Sequence, residues 1–122
     1  MIAYFYVLGC IAFTVYGQLI LKWRLPHLGE IPGPIGAKIL FLFKSILDPY
    51  IFSGYAAAFI ASFFWLLALS KLELSHAYPF MSGAFVLVFL FSVFLFNESV
   101  SLQKVLGLSL IVIGIAILGS AK

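Results

Sequence analysis

The sequence predicts an all-α bundle of four transmembrane helices, on three observations. No Asp, Glu, Lys or Arg lies within residues 1–21, 49–70, 74–97 or 105–121, and each of these four stretches is strongly apolar. A helix that crosses the hydrocarbon core needs about 20 apolar residues, so four spans take up nearly all of the 122 residues. Composition agrees: 65% of residues are hydrophobic, 18% aromatic and only 9% charged, where a water-soluble domain carries about 25%. What remains is one long loop and two tight turns, with no room for a separate catalytic domain. The chain works within a lipid bilayer or at its surface, and it is read as a single membrane domain over residues 1–122.

The first helix is expected over residues 2–22, closed by Lys22 and Arg24 with Trp23 between them, and then by Pro26. Lys, Arg and Trp anchor helix ends at the membrane interface. The loop of residues 23–48 changes texture halfway: residues 29–36, GEIPGPIG, cannot be helical, whereas residues 37–47, AKILFLFKSIL, set Lys38 and Lys44 in an apolar stretch too short to span. That stretch either lies in the membrane plane, lysines toward phosphates and Phe and Leu toward acyl chains, or extends the second helix downward.

Asp48-Pro49 opens the second helix, residues 49–71, with Asp as the cap and Pro where its missing N–H costs nothing. Gly54, Ala57, Ala58, Ala61 and Ser62 form a stripe of small side chains at three- and four-residue spacing, the pattern that lets membrane helices approach closely. Trp65, one turn beyond on the same side, either lines a cavity or simply packs. The third helix covers residues 76–97; Pro79 with Gly83 marks its bend, and its second half, FVLVFLFSVFLF, has aromatics on nearly all faces and so meets lipid or acyl chains. Residues 97–99 make a turn, Ser101 caps the fourth helix, residues 101–120, and Lys104 snorkels from its first turn. Gly107 and Gly114 lie seven residues apart on one face of that helix and are read as a contact between protomers.

Among the polar groups left at depth, Cys10, Thr14 and Gln18 recur every four residues on one helix face, either as the wall of a polar groove or as interhelical hydrogen-bonding groups. The lone Cys10 permits no intrachain disulfide, and Val7-Leu8-Gly9-Cys10 is not a lipoprotein cleavage box, because no basic residue precedes it. His76 reads as a surface residue at a helix start. No metal, phosphate-loop or nucleophile constellation is present, which points away from an enzyme and from any cofactor. A net charge of +3 spread over seven Lys and Arg is too sparse to bind nucleic acid and is better matched to lipid phosphates.

The order of motifs resembles the small multidrug resistance and EamA-type carriers of the drug/metabolite transporter superfamily: Gly17-Gln18-Leu19 before Lys22, Trp65-Leu66-Leu67-Ala68, Ala77-Tyr78-Pro79 with Ser82-Gly83, Asn97-Glu98-Ser99-Val100-Ser101, and GLSLIVIG from Gly107 to Gly114. Within it, the chain is most similar to the small subunits of aminoarabinose-phosphoundecaprenol flippases, in the GQ-x-x-x-K ending of the first helix, the AYP start of the third, a turn containing glutamate and the ILGS ending. The resemblance implies a pseudo-symmetric pair of oppositely oriented protomers, either two copies or one copy with a related subunit. One departure separates subfamilies. Drug-exporting members carry a glutamate three residues before the glycine matched by Gly17, and Thr14 stands there. Without an intramembrane carboxylate, proton-coupled export of organic cations is disfavoured.

The substrate-contacting set expected from these arguments is Thr14, Gln18, Lys22, Arg24, Trp65, Tyr78 and Ser82. Neutral polar walls, aromatic surface and a basic rim of Lys22, Arg24, Lys38 and Lys44 suit a lipid-linked sugar with an anionic phosphate; alternatively, the four cations are only the positive-inside topology signal. Five cations, Lys22, Arg24, Lys38, Lys44 and Lys104, fall on one side, against Lys71 and Lys122 on the other. That bias places the loops inside and both termini outside. Translocation of a polyprenyl-phosphate-linked sugar or similar lipid across a bacterial inner membrane is the leading expectation. Export of a small metabolite or cation is a second reading, and an accessory subunit of a membrane glycosyltransferase is a third.

Overall fold

The computed structural model describes residues 2–121, so Lys122 of the topology count lies outside the described residues. Among the described residues six α-helices run in chain order: α1, Ile2–Arg24; α2, Ile35–Ser45; α3, Pro49–Leu69; α4, Leu74–Met81; α5, Gly83–Phe96; and α6, Leu102–Ser120, with a short 3-10 helix, Leu25–Leu28, after α1. Four stretches are long and apolar enough to cross a membrane: Ile2–Leu28, Pro49–Leu69, Leu74–Phe96, which holds α4 and α5, and Leu102–Ser120.

The loop of residues 23–48 contains more structure than expected. The first helix continues to Arg24, and α2 is a helix of its own rather than a downward extension of α3; it begins at Ile35, so the last two residues of the run expected to be non-helical, Ile35 and Gly36, are helical. The chain turns between them, as the N–H groups of Leu47 and Asp48 donate to the carbonyls of Lys44 and Ser45, and Asp48 adopts an extended backbone (φ −70°, ψ 126°).

The antiparallel pair of α1 and α3 forms the centre. Ala3, Val7, Cys10, Ile11 and Val15 on α1 and Ile51, Ala57, Ala61 and Ala68 on α3 are buried. The helix backbones approach closely at two glycines: a methyl built on Gly17 would stand 2.9 Å from the carbonyl oxygen of Gly54, and one built on Gly54 would stand 2.8 Å from Ile20. Lipid is as apolar as leucine, so burial alone does not drive membrane helices together; the close approach of small residues gives the dispersion contact that does. Nearby, the Tyr16 and Ser53 hydroxyls are hydrogen-bonded at 3.0 Å.

One end of this pair is closed by charge. Arg24 donates from Nη2 to Oδ1 of Asp48 at 2.9 Å and from Nε to Oδ2 at 3.0 Å, while Asp48 also accepts from the N–H of Ile51 at 3.1 Å and so caps α3. The guanidinium lies 4.8 Å from the Tyr50 ring centroid. The Arg24 hydrogen bonds, followed by the N–H of Ile51, hold the Asp48 carboxyl below the usual carboxylate range.

The third span lies parallel to α1 and is interrupted rather than gently bent. Pro79 has no N–H to give to the preceding turn, and the chain tightens: the N–H of Ser82 donates to Pro79 and that of Phe85 to Ser82, at 3.0 and 2.9 Å. The interruption thus falls at Ser82, between Pro79 and Gly83. Near the start of α4 the Tyr4 hydroxyl is hydrogen-bonded to Nε2 of His76 at 3.0 Å, so this histidine is a helix-pairing group. Asn97 ends α5 in the left-handed conformation (φ 54°, ψ 36°), which asparagine tolerates better than most residues. Ser101 caps α6 by accepting from the N–H of Lys104 at 3.2 Å.

Helix α6 has no buried residue. It touches the bundle at α4 and α5, where Gly119 meets the ring of Phe80, and no atom lies within 4 Å of a methyl built on Gly107 or Gly114.

Gly17→Ala should destabilise the protein by about 1–3 kcal/mol, because backbone stands where its methyl would go, while Gly107→Ala should leave the melting temperature of the isolated chain in detergent unchanged. A depressed carboxyl stabilises the fold above the ordinary aspartate pKa and loses that contribution as pH falls through the lower folded value. The melting temperature should therefore drop as pH falls below about 3.8, and Asp48→Asn should lower it at neutral pH and remove that part of the acid sensitivity.

Candidate functional site

A cavity of about 410 Å³ opens between α1, α3 and the interrupted third span. Cys10 and Thr14 reach it from α1, and Ala58, Ala61, Ser62 and Trp65 from α3. Tyr78 and Met81 come from α4, Ser82 from the interruption, and Ala84 and Phe85 from α5. The break at Ser82 lets residues from both halves of the span face one space. In α3, the buried Ala57 and Ala61 support the pairing with α1, whereas the exposed Ala58 and Ser62 keep the cavity wall low. The Trp65 and Tyr78 rings meet edge to face, centroids 5.9 Å apart at 77°. Such pairs prefer this geometry because a positive ring edge meets a negative face.

Every residue lining this cavity is neutral. The Ser62 hydroxyl is occupied by the carbonyl of Phe59 in its own helix. Thr14, the Tyr78 hydroxyl and Ser82 are the neutral polar groups that remain beside the aromatic pair.

The structure divides the expected set of site residues. Thr14, Trp65, Tyr78 and Ser82 share the first cavity, whereas Gln18 and Lys22 line a second one, of about 300 Å³, with Leu21, Leu25, Leu28, Ile31, Phe41, Leu42, Ser45, Ile51 and Tyr55. The cause is helical geometry. At 3.6 residues per turn, each four-residue step drifts by about 40°, so the row Cys10, Thr14, Gln18, Lys22 winds from one cavity to the other. Arg24 lines neither cavity; its charge is committed to Asp48. The sequence pattern missed that pairing, although an arginine ending one helix and an aspartate opening its antiparallel neighbour were the available signal. Met81 and the α2 residues Phe41, Leu42 and Ser45 were missed too, because only the interruption at Ser82 and the fold-back of α2 bring them to the cavities.

The small multidrug resistance protein family matches residues 28–111. Of the two carrier types the motifs resemble, this is the match obtained. The chain is 32% identical over 118 residues to the probable 4-amino-4-deoxy-L-arabinose-phosphoundecaprenol flippase subunit ArnF of Erwinia tasmaniensis, covering 93% of this chain and 91% of the relative. It is 34% identical over 115 residues to the ArnF subunit of Yersinia enterocolitica, covering 88% and 86%. The ArnE subunit of Hamiltonella defensa is 42% identical over a shorter stretch of 71 residues, 57% of this chain and 64% of the relative. No solved structure gives a significant match.

A neutral cavity has no group to exchange a proton for its ligand. Ligand binding should therefore release no proton, and affinity should stay within about twofold between pH 6 and 8, apart from titration of the ligand itself. Stoichiometric proton release in an unbuffered binding assay would contradict this reading.

Proposed function

The chain belongs to the small multidrug resistance family, and from that premise we propose that it is one subunit of a flippase that carries a polyprenyl-phosphate-linked sugar, or a similar lipid, across the bacterial inner membrane. The observation that carries the proposal is the neutral, aromatic-walled cavity in a chain that aligns almost end to end with flippase subunits. A sugar offers hydroxyl groups to Thr14, Tyr78 and Ser82 and an apolar ring face to Trp65, and it brings no cation that would call for an intramembrane carboxylate. The same neutrality gives no support to an exporter of organic cations. The transport involves no bond making, so the chain is read as a carrier without enzymatic activity.

The partner in this proposal is a related small subunit, with a second copy of the chain as the alternative. Similarity to both ArnF and ArnE subunits supports a paired assembly. The open face of α6 around Gly107 and Gly114 is the proposed contact, and the excess of cations on the loop side supports an orientation with the loops inside. That asymmetry favours unlike partners, because two identical chains in opposite orientations would place one of them against the charge bias.

Two experiments test this reading. Vesicles containing the chain and its related subunit should move a short-chain fluorescent polyprenyl-phosphate sugar between leaflets faster than protein-free vesicles. Trp65→Ala or Tyr78→Ala should slow that movement by about tenfold, the equivalent of about 1.4 kcal/mol. Movement no faster than in protein-free vesicles would overturn the proposal. Separately, replacing both Gly107 and Gly114 by Leu should dissociate the pair while each chain stays inserted; unchanged association would reject the α6 contact.

A further inference from the structure

We propose that the second cavity, beneath α2, is a docking site for the phosphate of an anionic lipid, separate from the first cavity. Its lining includes Gln18 and Lys22 on α1, Leu25 and Leu28 on the 3-10 helix, Phe41 and Leu42 on α2, and Tyr55 on α3. A smaller hollow of about 220 Å³ adjoins it, lined by Leu28, Phe41, Lys44 and Ser45. Leu28, Phe41 and Ser45 line both, so the two hollows share a wall, with Lys22 in the lining of the larger and Lys44 in that of the smaller.

Charge identifies the occupant. Among the described residues Arg24 forms the ion pair of this rim, with Asp48, and neither Lys22 nor Lys44 is joined to a carboxylate. Two unmatched ammonium groups beside an apolar recess attract a ligand that is anionic at one end and greasy at the other. Lysine holds phosphate as a compact point charge, and the Gln18 carboxamide adds neutral donors. Phe41, Leu42 and Tyr55 offer wall to the first carbons of a chain. The outer face of α2 exposes Ile39 and Phe43, 51% and 69% accessible, which suits a short helix lying among acyl chains. A water-soluble acidic partner would gain nothing from that apolar surface. The proposal goes beyond the flippase reading and stands without it, since it needs only a membrane that contains phosphate-headed lipids.

The test is equilibrium binding of short-chain phosphatidylglycerol, phosphatidylcholine and polyprenyl phosphate, and of inorganic phosphate, to the full chain in uncharged detergent. Lys22→Gln, Lys44→Gln and Lys104→Gln are compared after helicity and monodispersity have been checked. Lys104 serves as the control because its Nζ already donates to the carbonyl of Ser99, at 2.9 Å, outside the recess. The anionic lipids should bind saturably and more tightly than the zwitterionic lipid. Lys22→Gln and Lys44→Gln should each weaken them by about tenfold or more, and Lys104→Gln should not. Tighter binding of the polyprenyl phosphate would assign the site to the carrier lipid, and equal binding of both anionic lipids would assign it to bulk phospholipid; either supports the proposal. Inorganic phosphate binding as tightly as the lipids, or lipid affinity unchanged by both lysine substitutions, would overturn it. Because the readout is binding and not transport, a failed flippase assay leaves this result standing, and the reverse.

Discussion

The backbone approach of α1 and α3 at Gly17 and Gly54 sets the position of everything else. In a bilayer the helices gain little from hiding apolar surface from one another, so the pair depends on contacts that only small residues allow. Residues of this pair form walls of both cavities described above. One is roofed by the interrupted third span and the other by α2. The ion pair of Arg24 and Asp48 holds the same two helices at their loop end and caps α3 with the same carboxylate. A change at Gly17 would therefore be felt at Thr14 and at Lys22 without touching either.

Charge and neutrality are distributed in a way that makes chemical sense of transport. The first cavity is neutral, which limits the cost of keeping it open within hydrocarbon. The ionised groups cluster at the helix ends, where water and lipid phosphates can compensate them. A lipid with a phosphate and a sugar would thus meet cations at the surface and hydroxyl groups and aromatic rings at depth. The drift of the row Cys10, Thr14, Gln18, Lys22 around α1 takes it from the neutral cavity to the one lined by Lys22.

Much of the fold was legible because the physical signals were large and local. Four uncharged stretches set the spans, Asp48-Pro49 opened α3 and Ser101 opened α6, where each cap accepts the expected kind of backbone N–H. The small-residue stripe on α3 was visible as well, but its division into a buried part, Ala57 and Ala61, and an exposed part, Ala58 and Ser62, follows from where α1 sits; Ala61 reaches the cavity as well. The grouping of site residues was less legible. Thr14, Trp65, Tyr78 and Ser82 came together, whereas Gln18 and Lys22 turned to another space because a four-residue row drifts around a helix. Arg24 looked like a fourth rim cation until its partner, 24 positions away, was in place. Pairings across a fold are set by topology, and no local pattern encodes them.

The central claim is that this chain handles a phosphate-headed lipid bearing a sugar. The most direct measurement is mass spectrometry of the lipids retained when the chain and its related subunit are purified from native membranes in mild detergent. The account predicts a polyprenyl-phosphate-linked sugar enriched well above its share of the membrane. Recovery of bulk phospholipids alone, in membrane proportions, would contradict it.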